Sequence, residues 1–270
     1  FADVRYGPYD RNVLDFWKAE STQPAPLAVF IHGGGFRSGD KNNINAGTLR
    51  RLLEAGISVA AIHYRLVPKH PLPAAHEDAR RAIQFLRWKA KEWNIDKTRI
   101  GAFGGSAGAQ LCLYLAFHDD MAKPGSADPV ERESTRLTAA APNAAQTTMD
   151  MDWWKANIPG YQKIHREVGE YFGAASVEQI HRIVEDISAL SLVSKDDPPV
   201  FLTYAMGPND PPPTEPAQLS GWRIHHVNFG IALKKKMDAL GLECHLRYPG
   251  AQTQYASAEE FLRAKLTGGK

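Results

Sequence analysis

The stretch GGSAG at residues 104–108 most constrains the fold, because it connects an apolar run to a helical run through a very short turn. RIGAF (99–103) predicts a buried strand, and AGAQLCLYLAFH (107–118) predicts a helix. Ser106 lies between them with a glycine two residues away on either side. A serine in such a sharp strand-to-helix turn exposes its hydroxyl, whereas a turn kept only for packing would not need serine. The pattern therefore predicts Ser106 as a nucleophile.

Apolar runs alternate with helical patterns from residue 27 onward, which predicts an α/β fold with a mostly parallel central sheet and helices on both faces. Between about residues 147 and 190 the pattern changes to short helical pieces that bear tryptophan and tyrosine. This predicts a small cap-like helical insertion within one domain spanning residues 1–270. Trp153 and Trp154 in the insertion either line a pocket or pack in its core. The stretch from 206 to 226 is predicted to be a loop.

A second glycine-rich turn, HGGGF at residues 32–36, directly follows the apolar run LAVFI. Acyl transfer develops negative charge on a carbonyl oxygen, and backbone N–H groups aimed at that point stabilise it. Glycines present these groups without side chains in the way. The expected oxyanion-hole donors are the amides of Gly34, Gly35 and Ala107. His32 is expected to hold the turn by hydrogen bonding rather than to catalyse.

Six segments occur in the order and spacing found in α/β-hydrolase esterases: YGPYDRNVLDFW, FIHGGGFRSGDK, AAIHYRL, PLPAAHEDARRAIQFL, RIGAFGGSAGA and DPPVFLTYA. The chain most resembles the bacterial feruloyl and acetyl-xylan esterases, close to the hormone-sensitive-lipase-like carboxylesterases. The resemblance covers nearly the whole chain and weakens in the insertion and after residue 206. It implies the α/β-hydrolase fold and a serine triad in the chain order serine, acid, histidine.

By this resemblance the acid follows the strand PPVFLTYA (198–205). Asp210 in GPNDPPP lies on that side, close to where the family's G-x-x-D falls. A solvated turn residue before prolines is the competing interpretation of Asp210, and Glu215 in the same loop is a rival acid.

The histidine of the resemblance is missing from its expected place. Relatives continue the last strand into a sequence like YPGAxHGF, whereas this chain has YPGAQTQY, with Thr253 where the histidine belongs. Threonine cannot accept and return a proton near neutral pH. His225 and His226 stand between the candidate acid and the next helix, on the sheet edge that carries Ser106. We therefore hypothesise that one of them is a relocated base; the alternatives are that they only cap the helix, or that no base exists.

Composition limits the partners. The net charge is +2, without long runs of one sign, so neither nucleic acid nor a membrane is expected as a partner. No cofactor is expected, because no spacing of Cys, His or carboxylate residues matches a metal site. The predicted ligand is a small-molecule ester. The sequence leaves open whether the protein forms a homodimer. Since the chain starts at Phe1 rather than methionine, a cytoplasmic location and export after removal of a leader are both left open.

The resulting functional prediction is a carboxylic ester hydrolase that forms an acyl-enzyme on Ser106. The resemblance implies short-chain or aromatic acyl esters, with acetyl or feruloyl esters of plant polysaccharide among them. The rival from another class is a catalytically impaired hydrolase-fold protein that binds an ester-like or sugar ligand. The missing histidine favours the rival, whereas the intact glycine turn and Ser106 favour the enzyme.

Overall fold

The computed structural model describes residues 1–268, in which eight strands form one sheet. In chain order the strands are β1 (Val4–Arg5), β2 (Val13–Trp17), β3 (Ala25–Ile31), β4 (Ser58–Ile62), β5 (Ile95–Gly105), β6 (Ala139–Asn143), β7 (Val200–Thr203) and β8 (Cys244–Arg247). Their order across the sheet is β1-β2-β4-β3-β5-β6-β7-β8. Strand β2 is antiparallel to β1 and β4, and all pairs from β4 to β8 are parallel.

Eleven helices connect or flank the strands of this part of the chain. They are α1 (Ala46–Glu54), α2 (Ala74–Trp88), α3 (Ala90–Trp93), α4 (Ala107–Phe117), α5 (Met151–Asn157), α6 (Val168–Phe172), α7 (Val177–Ile187), α8 (Ala189–Leu192), α9 (Pro216–Ile224), α10 (Asn228–Ala239) and α11 (Ala258–Thr267). A short 3₁₀ turn also occupies Lys41–Asn43.

Alternate residues of the parallel strands face opposite layers of helices. In β3, Leu27, Val29 and Ile31 belong to a core cluster that also contains buried residues of α2, α4, α8 and α10. Ala28 belongs to a second cluster with buried residues of α1 and α11. Because helices cover both faces, the central strands are apolar throughout. The predicted α/β fold with a mostly parallel sheet is confirmed.

Two features of the sheet and its connections depart from the sequence predictions. The apolar pattern begins at residue 27 and misses β1 and β2. Helix α9 occupies the second half of the stretch 206–226, so the prediction of a loop is wrong there. Pro216 stands at the start of α9, where a helix requires no N–H from it.

Four helices, α5 to α8, fill the chain between β6 and β7, which includes the predicted insertion at about 147–190. Trp154 is fully buried, its Nε1 donates to the Thr148 carbonyl at 2.8 Å, and its ring lies 4.8 Å from that of Phe229. Trp153 packs on the same phenylalanine at 5.3 Å. Both tryptophans thus take part in packing. The one-domain organisation of residues 1–270 stays a prediction, and residues 269–270 lie outside the described residues.

Candidate active site

Ser106 occupies a strained turn between β5 and α4. Its backbone has φ 53° and ψ −119°, a conformation that non-glycine residues adopt at a cost of about 1–3 kcal/mol. The Ser106 N–H donates to the Asn143 carbonyl at 2.9 Å, which ties the turn to the end of β6. Helix α4 starts at the next residue, so its positive dipole end lies beside the serine hydroxyl. This is the conformation expected of an exposed nucleophile.

The glycines around Ser106 allow the backbone segments to approach closely. A Cβ on Gly104 or Gly108 would overlap the carbonyl oxygen of Ile31, at the end of β3. A Cβ on Gly33 would lie 2.8 Å from the Gly105 carbonyl oxygen and 3.5 Å from Ser106 Cβ. The two glycine-rich turns are therefore in direct contact, and larger side chains at these positions would separate them.

His225 is the histidine that the structure brings to Ser106. Its Nε2 lies 2.9 Å from Ser106 Oγ, at the distance of a hydrogen bond. The residue terminates α9, with φ −118° and ψ 23°, and is partly buried. Within residues 1–268, no carboxylate forms a hydrogen bond or ion pair with His225. The pair is thus a serine–histidine dyad without a neighbouring acid.

Burial lowers the pKa of His225, and the positive charge of Arg166 lowers it further. A hydrogen bond to the Gly221 carbonyl opposes this effect. His165, close to both, has a pKa lowered to about 4, mainly by burial. At neutral pH the His225 imidazole is therefore neutral and able to accept a proton.

His226, the other candidate base, lies outside this arrangement. It is fully buried, and its ring packs edge-on against Trp222 at 4.5 Å. Its Nδ1 accepts from the Asn228 N–H at 3.2 Å, while its Nε2 is buried and has no partner among the described residues. Burial lowers the pKa of His226. The contacts of His226 are those of a packed residue at the start of α10.

The two acid candidates also lie away from His225. Asp210 is exposed, and its Oδ2 accepts from the Gly207 N–H at 2.7 Å in a local turn. A Cβ on Gly207 would lie 3.2 Å from Asp210 Oδ1 and 3.6 Å from the Pro249 carbonyl oxygen, so the aspartate stands beside the loop that follows β8. Glu215 is exposed at the start of α9 and makes no side-chain cap. Neither carboxylate contacts a histidine.

The loop after β8 offers Ser106 no proton acceptor. Thr253 holds the position where the resemblance places a histidine, and its Oγ1 is buried without a hydrogen-bond partner in the described chain. Ser257, at the end of the same loop, caps α11 by accepting from the Glu260 N–H at 3.2 Å. The loop therefore leads into a normally capped helix, α11.

The HGGGF turn presents free amides next to the serine. Gly34 and Gly35 have φ values of 109° and 60°, which glycine adopts without strain. Among residues 1–268, no acceptor faces the N–H groups of Gly34 and Gly35. Tyr171 of α6 donates a hydrogen bond from its hydroxyl to the Gly35 carbonyl at 2.7 Å and so holds the turn in place. With the Ala107 amide at the start of α4, the turn can supply donors to an oxyanion.

His32 has the supporting position that the sequence predicts. It is fully buried and stacks on Tyr64 at 4.2 Å. Its Nδ1 is 2.7 Å from the Gly33 carbonyl oxygen, and its Nε2 is 3.2 Å from Arg11 Nη2. Burial lowers the pKa of His32 to about 4. Both ring nitrogens are thus engaged in holding the turn.

A cavity of about 760 Å³ opens beside the elbow, on the face of the sheet covered by α1 and α11. Gly104 and Asn143 line it on the side of Ser106, and residues 248–251 line the opposite side. Ser106 and His225 are not among its lining residues. The cavity therefore adjoins the dyad and does not contain it.

Residues 1–268 contain neither a metal-binding group of side chains nor a membrane-spanning helix. No group of three or more His, Cys, Asp or Glu side chains is placed to hold a metal ion. No described helix is both long and apolar enough to cross a bilayer.

Sequence reasoning missed two residues of this site. Tyr171 and Arg166 come from the insertion, whose pattern indicates short helices but not where they pack. Their positions depend on how α6 folds back over the HGGGF turn, and no local motif encodes that contact.

Comparison with known proteins agrees with the fold. The BD-FAE family model matches residues 14–219, which include Ser106 and both glycine-rich turns but end before His225. Esterase LipQ of Mycobacterium tuberculosis is 32% identical over 147 residues, covering 52% of this chain and 34% of that protein. The chain spans about a third of the length of the first curated relatives it matches.

Solved structures resemble the chain over almost all its length. An acetyl ester-xyloside bifunctional hydrolase from Caldicellulosiruptor lactoaceticus superposes with a TM-score of 0.68 and 24% identity, covering 87% of this chain and 76% of that one. A truncated carbohydrate esterase from gut microbiota gives 0.74 with 20% identity, covering 99% and 96%. The predicted α/β-hydrolase fold and the resemblance to esterases are confirmed. Because the family match covers most of the chain, including its elbow, this protein belongs to the BD-FAE family.

Proposed function

We propose that the protein is a carboxylic ester hydrolase that works through a Ser106–His225 dyad. The observation that carries this proposal is the 2.9 Å separation of Ser106 Oγ and His225 Nε2 at a strained elbow. A nucleophile within hydrogen-bond reach of a neutral imidazole is the arrangement that acyl transfer requires. His225 directly follows α9 and lies beyond the family match, which ends at residue 219.

The reaction proceeds in two halves. His225 Nε2 takes the proton of Ser106 Oγ as the oxygen attacks the ester carbonyl, and the amides of Gly34, Gly35 and Ala107 bind the resulting oxyanion. The C–O bond to the alcohol breaks, and His225 donates its proton to the leaving oxygen. A water then gives a proton to His225 and attacks the acyl-enzyme. Breaking the acyl–serine bond returns that proton to Ser106 and releases the acid.

The lack of a carboxylate beside His225 has a consequence for rate. In a triad the acid stabilises the imidazolium and fixes the ring orientation. Here the Gly221 carbonyl is the hydrogen-bond partner that favours the charged ring. We expect a lower kcat than for a full triad on the same ester, and a rate that still depends strongly on both dyad members.

We assign the substrate to short-chain or aromatic acyl esters, with acetyl or feruloyl groups on plant polysaccharide as the leading examples. Two proteins of similar structure, an acetyl ester-xyloside bifunctional hydrolase and a carbohydrate esterase, support this class.

The test is hydrolysis of 4-nitrophenyl acetate by the wild type and by Ser106→Ala. We expect the wild type to exceed the variant by about 10⁴-fold or more in kcat/KM, because the variant cannot form the acyl-enzyme. Equal rates would contradict the esterase proposal and favour a hydrolase-fold protein that only binds its ligand. A wild-type-like melting temperature for Ser106→Ala would exclude unfolding as the cause.

A further inference from the structure

Arg166 is a cation without an anion in the described part of the chain. Its side chain is partly buried, and none of the ion pairs within residues 1–268 includes it. Its Nε donates to His165 Nε2 at 2.9 Å, and its Nη1 approaches Met149 Sδ at 3.4 Å. Its Nη2 has no acceptor among the described residues. Burial lowers the pKa of Arg166, as expected for a guanidinium removed from water without a carboxylate.

One contact and one charge effect relate this guanidinium to the candidate active site. Its central carbon lies 4.9 Å from the centre of the Tyr171 ring, and the hydroxyl of that tyrosine holds the Gly35 carbonyl at 2.7 Å. Its charge also acts on His225. Arg166 therefore stacks on the residue that holds the oxyanion turn, and its charge reaches the base.

A positive charge beside the base is an unusual arrangement for a serine hydrolase. The base of a triad faces a carboxylate, which favours the imidazolium formed during the reaction. Arg166 has the opposite effect unless an anion binds to it. Such an anion must come from outside residues 1–268, because no carboxylate within them pairs with Arg166.

We propose that Arg166 binds a carboxylate carried by the substrate, so that the preferred esters of this enzyme are anionic. Acetylated saccharides containing a uronate and half-esters of dicarboxylic acids both fit this chemistry. A planar guanidinium with an unused Nη2 suits carboxylate oxygens, and its stacking on Tyr171 holds it in one orientation. This inference rests on the proposed esterase function and specifies its substrate class.

The kinetic test compares matched charged and neutral esters. Mono(4-nitrophenyl) glutarate carries a carboxylate on the acyl side, and 4-nitrophenyl pentanoate is its neutral partner. On the alcohol side, the anion of 4-acetoxybenzoic acid carries the carboxylate, and its methyl ester is the neutral partner. In the wild type, kcat/KM for the charged member exceeds that of its neutral partner in at least one pair. In Arg166→Gln this ratio falls about tenfold or more, mainly through KM, and Arg166→Lys restores part of it.

Arg50→Gln is the matched control, because Arg50 is exposed on α1 and, within residues 1–268, forms an ion pair with Glu54 alone. It should leave both ratios at wild-type values. Unchanged ratios in Arg166→Gln would overturn the proposal. An equal fall for the charged and neutral members would also overturn it, since that result means that Arg166 only fastens the insertion to Tyr171.

A binding measurement separates this inference from the esterase proposal. Glutarate and benzoate are titrated calorimetrically into Ser106→Ala and into Ser106→Ala/Arg166→Gln. We expect at least one anion to bind the first protein and its Kd to rise about tenfold or more in the second. The inference fails if neither anion binds or if Kd is unchanged, whatever the hydrolysis experiments show.

Discussion

Two loops at the carboxyl edge of the sheet differ in what they offer Ser106. The segment after β7 forms α9 and ends at His225, whose Nε2 lies 2.9 Å from the serine oxygen. The segment after β8 carries Thr253, whose hydroxyl is buried without a partner in the described chain. The resemblance to esterases puts the histidine in the second segment. The position of a general base in this fold is thus set by which loop reaches the serine, and neighbouring loops can provide the same group.

The same comparison applies to the acid. Asp210 lies near the second loop, since a Cβ on Gly207 would be 3.2 Å from Asp210 Oδ1 and 3.6 Å from the Pro249 carbonyl oxygen. His225 instead has a pKa lowered by burial and by the positive charge of Arg166. The candidate base is therefore separated from the candidate acid, and the two loops can be tested independently.

The largest effect is expected from removing the base. His225→Ala should lower kcat for 4-nitrophenyl acetate by about 10⁴-fold or more, because Ser106 then has no proton acceptor. His226→Gln, its neighbour, should keep kcat within about fivefold and lower the free energy of unfolding by about 1 kcal/mol, since His226 only packs. Activity assays and thermal melts of both variants provide the comparison. The reverse ranking would make His226 the base.

The pH dependence should show the neutral state of His225. Burial and the charge of Arg166 lower the pKa of this imidazole below its ordinary value of 6.5. The base works when neutral, so kcat/KM should stay constant as the pH falls through 6.5 and decrease tenfold per unit only below the shifted pKa. Arg166→Gln removes a neighbouring positive charge and should raise the pH at which kcat/KM begins to fall. His165, with its pKa of about 4, is neutral in that pH range. A limb above 6.5 in the wild type would contradict this arrangement.

A smaller effect is expected at the acid. Asp210→Asn should keep kcat/KM within about threefold, because Asp210 accepts a backbone N–H in its own turn and does not contact His225. Asp196→Asn, at the opposite edge of the sheet, is the matched control. A loss of about a hundredfold confined to Asp210→Asn would show that it serves as the acid of a triad.

The smallest effect is expected in the loop after β8. Thr253→Val replaces a buried, unpaired hydroxyl with a methyl group, so the free energy of unfolding should stay the same or rise by up to about 1 kcal/mol. Ser257→Ala, which removes the cap of α11, should lower it by about 1 kcal/mol. Urea denaturation measures both. A loss of stability in Thr253→Val would indicate that its hydroxyl is bonded.

Much of the fold could be predicted because its signals are local. Strands β3 to β7 contain largely buried apolar runs, and the elbow has its own glycine spacing. Strand β1 was missed because it has only two residues, and β2 because it carries a buried aspartate, Asp15, paired with Lys41 at 2.7 Å. Helix α9 was missed because its surroundings are rich in proline.

The site could be predicted only in part. Ser106 and the glycine turn follow from motifs, whereas the choice between His225 and His226 depends on where α9 ends and which ring then faces the serine. These two residues are adjacent in sequence, and no periodicity separates them. Tyr171 and Arg166 reach the site through tertiary packing of the insertion. Local patterns cannot report such contacts.

The most direct test of the dyad is the rate at which an organophosphate ester modifies Ser106, because this reaction needs an activated serine and no particular acyl substrate. Diethyl 4-nitrophenyl phosphate releases one nitrophenolate as it phosphorylates the serine oxygen, and intact mass with peptide mapping locates the adduct. We expect the wild type and His226→Gln to be labelled at Ser106 at similar rates, and His225→Ala about a hundredfold or more slowly. Labelling of His225→Ala at the wild-type rate would contradict the assignment of His225 as the base.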